Sequence, residues 1–340
     1  MQSVINCEKI SKFVEEYVPK LGTTVCDGVF DVVASSKKGE NGLTTVKLAT
    51  EVIQRFFYVP IKDAMRTKND RLLLVLLEYL FKIVTEKIGL TVGKEWFKGV
   101  ILPYSYGNNK LGAGILTFNV SPAFLCPSMC TGQCKGCSDC YAMFSERRHG
   151  SELARNILAF IRILKYPIDI IVNDTIKALG RKKKTLASQF IRFSQNGDIL
   201  NNSVLIKVNK LAMALLERYN NLLGAYTYTH NNNLDLSLAS HIVVNQSEKD
   251  LNAVKSTIVL YKWEDKYFDP SKYILCLGDC SLCPYCKNGD DTRTVIFMAH
   301  GGGLNAIETV PEPVIQFYDW LRGFNNQAFI NQMELAKMTA

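Results

Sequence analysis

Histidine is scarce in this chain: 340 residues contain only four, too scattered to build a His-ligated metal site. Long apolar runs are missing too. The most hydrophobic stretch, Leu72-Leu73-Leu74-Val75-Leu76-Leu77, is followed at once by Glu78 and then Lys82. A membrane span needs roughly 20 apolar residues, so this stretch predicts a buried helix and no membrane partner. Met1-Gln2-Ser3-Val4-Ile5-Asn6 has neither the basic start nor the apolar core of a secretion signal, which points to the cytoplasm. There is no Walker loop and no nucleophile elbow. Charge of one sign is not abundant either. Charged residues make up 21%, and the formal charge of +8 falls short of a nucleic-acid-coating protein. That excess suits an anionic partner, such as a nucleotide or nucleic acid, or serves solubility alone. With 47% hydrophobic residues, wholesale disorder is excluded.

What the chain does have is cysteine, 11 in all. Cys7 and Cys26 stand alone and read as ordinary buried thiols. The other nine fall into two short segments. Thiols this close cannot all pair as disulfides without strain, and a disulfide framework would be spread along a small secreted domain. Metal ligation is the remaining reading.

Residues 1–100 read as a helical N-terminal region. Apolar residues recur at helical spacing from Val46 to Phe57 and from Leu72 to Ile88, after a turn-rich break at 35–42. Residues 101–340 have a different texture. Six short runs rich in β-branched and aromatic residues predict strands: Ile115–Val120, Phe190–Ser194, Ala225–Thr229, His241–Asn245, Thr257–Tyr261 and Thr294–Ala299. Helical patterns such as 152–163 and 204–219 lie between some of them. Strand–helix–strand repetition implies parallel pairing. The expected class is α/β, a partial (β/α)6 barrel of parallel strands, with a doubly wound sheet as the competitor. Ligands would then bind at the C-terminal strand ends. The gap from Thr229 to His241 leaves room for only a short helix. The basic run Arg181-Lys182-Lys183-Lys184 reads as solvated surface.

The first cysteine segment carries Cys126, Cys130, Cys134, Cys137 and Cys140. Three close thiols hold three irons of a four-iron cluster and leave the fourth without a protein ligand. Cys130-x3-Cys134-x2-Cys137, following the first predicted strand, resembles the signature of radical S-adenosylmethionine enzymes. Gly136 stands where that superfamily usually has an aromatic residue. A wider resemblance, from about Tyr104 to Gln246, is to a family of phage-encoded proteins known as gene product 88. It rests on Asn119-Val120-Ser121-Pro122, Cys126-Pro127, Cys140-Tyr141-Ala142, the helix start from Arg147 to Asn156, Arg192 to Asp198, and Ala225 to Thr229. These resemblances imply a phage- or prophage-encoded iron–sulfur protein working in the host cytoplasm. The radical-enzyme resemblance adds bound S-adenosylmethionine and an electron donor; the mildly basic charge suits a nucleotide, nucleic-acid or peptide substrate. Which cysteines hold the cluster stays open, since the family anchors are Cys126 and Cys140. A zinc site is the alternative, and a zinc-stabilised nucleic-acid-binding module the alternative function.

The second segment supplies Cys276, Cys280, Cys283 and Cys286, four thiols that can close an iron–sulfur or a zinc site by themselves. Asn196-Gly197-Asp198 ends the second predicted strand. It looks like a shortened form of the glycine motif that contacts the methionine part of the cofactor: a glycine for close approach and a carboxylate for an ammonium group. The competing reading is a plain turn. Gly301 and Gly302 follow the last predicted strand and offer room for a nucleotide moiety. Tyr226 and Tyr228 share a strand face, suited to a pocket or to core packing.

Overall fold

The computed structural model describes residues 48–90, 104–106, 115–127, 140–148, 150–180, 190–220, 222–247, 255–278, 280, 283–301 and 304–339. Eight strands form one sheet: β1 Tyr104–Tyr106, β2 Ile115–Phe118, β3 Phe190–Phe193, β4 Gly224–Thr229, β5 Val243–Ser247, β6 Ser256–Leu260, β7 Tyr273–Cys276 and β8 Thr294–Met298. Their order is β1-β2-β3-β4-β5-β6-β8-β7. All seven from β2 onward run parallel, and β1 is antiparallel to β2. The protein is therefore α/β with a seven-stranded parallel sheet preceded by helices.

All six predicted strands are present, with the fourth displaced to begin at Val243. Two further strands, β1 and β7, form the sheet edges, and the sheet does not close on itself. Helical crossovers hold early. Helices α3 (Tyr141–Arg148), α4 (Gly150–Lys165) and α5 (Ile168–Gly180) join β2 to β3, and α6 (Asn202–Arg218) joins β3 to β4. Only a 3-10 turn, Leu236–Leu238, lies between β4 and β5, as the short spacing there requires.

Before the sheet stand α1 (Tyr58–Arg66) and α2 (Asp70–Lys82). The Leu72–Leu77 run is in α2, which buries Leu73, Leu76, Leu77 and Leu80 on one face. Asn69 caps it by accepting from the Leu72 N–H at 3.0 Å, worth about 1 kcal/mol. Helix α2 packs on α4, and Lys165 Nζ reaches Glu78 at 2.5 Å. The remainder of the predicted helical region, 1–47 and 91–100 with Cys7 and Cys26, lies outside the described residues, as does the basic run 181–184.

Strand alternation divides the core. Leu116, Phe118, Ile191, Phe193 and Ala225 join the helices in one cluster. Ile115, Phe190 and Tyr226, their neighbours on the opposite sheet face, join Ile274, Tyr285, Val295, Tyr318 and Phe329 in another. The long helix α7 (Glu312–Thr339) covers this second face. Its Phe329 stacks on Phe190 with centroids 6.0 Å apart, and the Tyr318 hydroxyl donates to the Tyr273 carbonyl at 3.2 Å.

Candidate metal centre

The second cysteine segment begins at the last residue of β7 and returns to β8. Cys276, Cys280, Cys283 and Cys286 line one pocket together with Tyr226 and Tyr228 of β4. Arg322 of α7 and Lys287 complete the charged part of its wall. The strand register explains the gathering. Cys276 stands opposite Phe297, and Ile274 opposite Val295, so Cys276 and Ile274 share a face with β8 residues of that register. Asn245 of β5 donates from Nδ2 to the Cys286 carbonyl at 3.0 Å, pinning the segment across the middle of the sheet. Helix α7 holds it from outside: the Tyr285 hydroxyl donates to the Leu321 carbonyl at 3.3 Å and accepts from Asn325 Nδ2 at 3.0 Å.

None of the six described cysteines forms a disulfide. Burial, followed by the charge of neighbouring thiols, drives Cys276 well above the ordinary thiol range and Cys283 up to about 12. Burial likewise lifts Cys286 to about 11, opposed by a hydrogen bond from Tyr228 and by the charges of Lys255 and Arg192. Without a compensating cation these thiols stay neutral. Tyr226, 1% exposed, has a hydroxyl with no hydrogen-bond partner among the described residues. Four soft donors that need positive charge, beside a buried donor that lacks an acceptor, fit a thiolate-bound metal centre. The free space between them is about 20 Å³, room for one water-sized occupant. Among the described residues no three His, Cys, Asp or Glu side chains stand together as a ready-made metal-binding group. The thiols share a pocket, and binding requires them to draw in around the metal.

Of the first segment, Cys126 and Cys140 are described and half-buried. Cys130, Cys134 and Cys137 lie outside the described residues, and so does Gly302. Gly301 pairs with Leu304 in a two-stranded ribbon of β9 (His300–Gly301) and β10 (Leu304–Asn305). Asn196, Gly197 and Asp198 stand against Asn119 and Ser121, in the loop that leads from β2 toward Cys126. Asn119 Oδ1 accepts from the N–H of Gln195 and of Asn196 at 3.1 and 3.2 Å. The Ser121 hydroxyl donates to the Asp198 carbonyl at 2.7 Å. Gly197 has φ +70°, and a Cβ there would lie 2.3 Å from the Ser121 carbonyl oxygen, so only glycine allows the approach. The buried Asp198 carboxylate accepts from the Thr229 hydroxyl at 2.6 Å, the Ile199 N–H at 2.6 Å and the His230 N–H at 2.8 Å. Three of its roughly four acceptor positions are thus taken. Burial still raises its pKa, against these bonds.

Glu146 is a buried residue that the sequence pattern does not single out. Its carboxylate accepts from the Ala123 N–H at 3.0 Å and from Asn156 Nδ2 at 2.7 Å, and Asn156 in turn accepts from Asn119 Nδ2 at 3.1 Å. Burial lifts Glu146 to about 8, partly offset by these bonds. It lines a cavity of about 280 Å³ with Ile53, Tyr58, Phe124 and Met143. The only sequence sign is a glutamate on a short helix that follows Cys140.

No family model, no curated protein and no solved structure matches this chain.

Proposed function

We propose that this chain is an iron–sulfur protein in which Cys276, Cys280, Cys283 and Cys286 hold one cluster and the 126–140 segment holds another of the radical S-adenosylmethionine-like kind. The observation that carries the metal reading is the convergence of four thiols, Cys286 buried and the other three half-buried, from a strand end and the following turn, on one pocket beneath α7. A bound cluster supplies one-electron chemistry. The chain's own part is positional. Asn245 and Tyr285 anchor the segment, Tyr228 bonds a sulfur, and Arg192 and Lys255 offset negative charge at Cys286.

The catalytic part rests on the resemblance to gene product 88 and to radical S-adenosylmethionine enzymes, and on where the first segment starts. Ser121 and Asn119, in the loop that leads to that segment, stand against Asn196-Gly197-Asp198, at the strand ends where parallel sheets receive ligands. The open parallel sheet, with helical crossovers after β2 and β3, is compatible with a partial (β/α)6 barrel. The cofactor's ammonium group would find one acceptor position on Asp198. A nucleotide, nucleic acid or peptide in the host cytoplasm would be the substrate.

The test is anaerobic reconstitution followed by iron and sulfide analysis and incubation with dithionite and S-adenosylmethionine. A brown protein that forms 5′-deoxyadenosine supports the whole reading, and iron without that product supports an electron-transfer or structural cluster. Zinc without iron overturns it in favour of a second reading, a zinc-stabilised nucleic-acid-binding module. The free space of about 20 Å³, suited to a single ion, favours that alternative at the second segment.

A further inference from the structure

We infer that the cavity between α1, α3 and α4 is a binding site for a small, uncharged, largely apolar molecule of fused-ring size, held by a hydrogen bond between an acceptor on that molecule and the Glu146 carboxyl. The site shares no residue with the cysteine pocket, and its occupant needs no metal. The cavity volume of about 280 Å³ is nearly twice the ~150 Å³ that encloses one benzene ring. Close-packed interiors rarely leave voids larger than a water molecule, so a space of this size fits an occupant better than a packing fault.

Its walls are graded from wet to dry. Gln54, exposed, and Tyr58, half-buried, stand toward the surface, on the π-turn Ile53–Phe57 and at the start of α1. Ile53, Phe124 and Leu153 are buried, and Met143 is half-buried. Among the described residues that line the cavity none is cationic, and Glu146 is the only acid. A cationic ligand would give up its water among apolar walls for a single partner. An uncharged one keeps the gain of apolar burial.

Glu146 is 3% exposed, and the chain holds it in one orientation. Oε1 accepts from the Ala123 N–H at 3.0 Å and from Asn156 Nδ2 at 2.7 Å, whereas Oε2 accepts only from the Ala123 N–H, at 3.0 Å. Asn119 Nδ2 donates to Asn156 Oδ1 at 3.1 Å, which fixes that amide with its own donor toward Glu146. Oε2 is therefore the oxygen with more room for a proton. Burial lifts the carboxyl to about 8, with Glu152 and Arg155 acting on it in opposite directions, so it is protonated at neutral pH. Every hydrogen bond that the described residues make to this carboxyl is one it accepts. Its own proton is left for an acceptor inside the cavity.

The experiment uses the full-length protein, methyl-labelled at Ile, Leu and Met, so that Ile53, Met143 and Leu153 report on the cavity by NMR. It is titrated at neutral pH with quinoline, an uncharged two-ring molecule with one acceptor, and with naphthalene, which has the same shape and no acceptor. Quinoline should shift these methyl signals saturably and bind about tenfold more tightly than naphthalene. Glu146→Gln, which keeps a donor and removes the charge, should hold quinoline within about threefold of wild type. Absence of saturable shifts at the three residues overturns the inference. So does naphthalene binding as tightly as quinoline. A loss of about tenfold or more in folded Glu146→Gln also overturns it, by showing that the carboxylate charge is what binds. If Glu146→Gln does not fold, the two probes in wild type decide alone.

Discussion

Strand β4 passes through two buried polar regions of opposite character. At its C-terminal end, Thr229 enters a closed network. Asp198 takes three hydrogen bonds, and Asn231 Nδ2 donates to the carbonyls of Ile199 and Leu200 at 3.0 and 3.1 Å. A few residues earlier, Tyr226 and Tyr228 face thiols whose charged form the pocket opposes, and one hydroxyl has no hydrogen-bond partner among the described residues. A closed network holds three loops together with its buried donors already met. An open one is costly as it stands and becomes satisfied when something with acceptors and positive charge arrives.

The comparison breaks most sharply at Gly197. Gly197→Ala drives a methyl group into the Ser121 carbonyl and forces a positive φ on a residue with Cβ. We expect a loss of about 3–5 kcal/mol in urea denaturation. A loss below about 1 kcal/mol would mean that the strand-end loops are not locked.

Asp198→Ala should cost about 3 kcal/mol, because it strands the Thr229 hydroxyl and the N–H groups of Ile199 and His230. The same assay reads it. A neutral result would place water or a ligand on those donors and make the closed region open.

Glu146 sharpens the contrast through pH. Its folded pKa of about 8 lies above the ordinary 4.5, so the folded state holds a proton that the unfolded state has released. Its contribution to stability is complete below about 4.5 and is lost as pH rises through about 8. Wild-type stability should therefore fall between pH 5 and pH 8 relative to Glu146→Gln, for which the slope should be flatter. Parallel slopes would show Glu146 ionised throughout, held by Ala123 and Asn156.

The smallest effect is the most diagnostic. In metal-free protein, Tyr226→Phe removes a hydroxyl without a partner and should raise stability by about 1 kcal/mol. A loss of that size would show that the hydroxyl is bonded after all, and the open region closed.

Much of this architecture was legible because strand chemistry is local. The runs at 115, 190, 225, 257 and 294 are bounded and β-rich, and parallel order follows from the helices between the first of them. Strand β7 was hidden because Tyr273-Ile274-Leu275-Cys276 is short and merges with the cysteine pattern. Strand β1 has three residues and no pattern to show. His241 and Ile242 resemble strand residues by type, yet Ile242 N bonds the Ala239 carbonyl in a turn. For the site, spacing marked the cysteines of 276–286 as a group. It could not tell that β4 lies beneath them, so Tyr226 and Tyr228 read as core as readily as pocket. Glu146 was illegible because its hydrogen-bond partners, the Ala123 N–H and Asn156 Nδ2, come from other segments and no spacing rule links them to it.

The strand order has a consequence for the timing of assembly. Because β8 lies between β6 and β7, the edge strand Tyr273–Cys276 has no place to pair until Thr294–Met298 has been synthesised and added to the sheet. The intervening cysteines leave the ribosome tethered at one end only. They stay in the most mobile part of the nascent chain until β8 arrives, and α7, made later still, seals them in. Vectorial synthesis thus gives the thiols an interval of freer access than the finished fold, which half-buries three of them and buries Cys286.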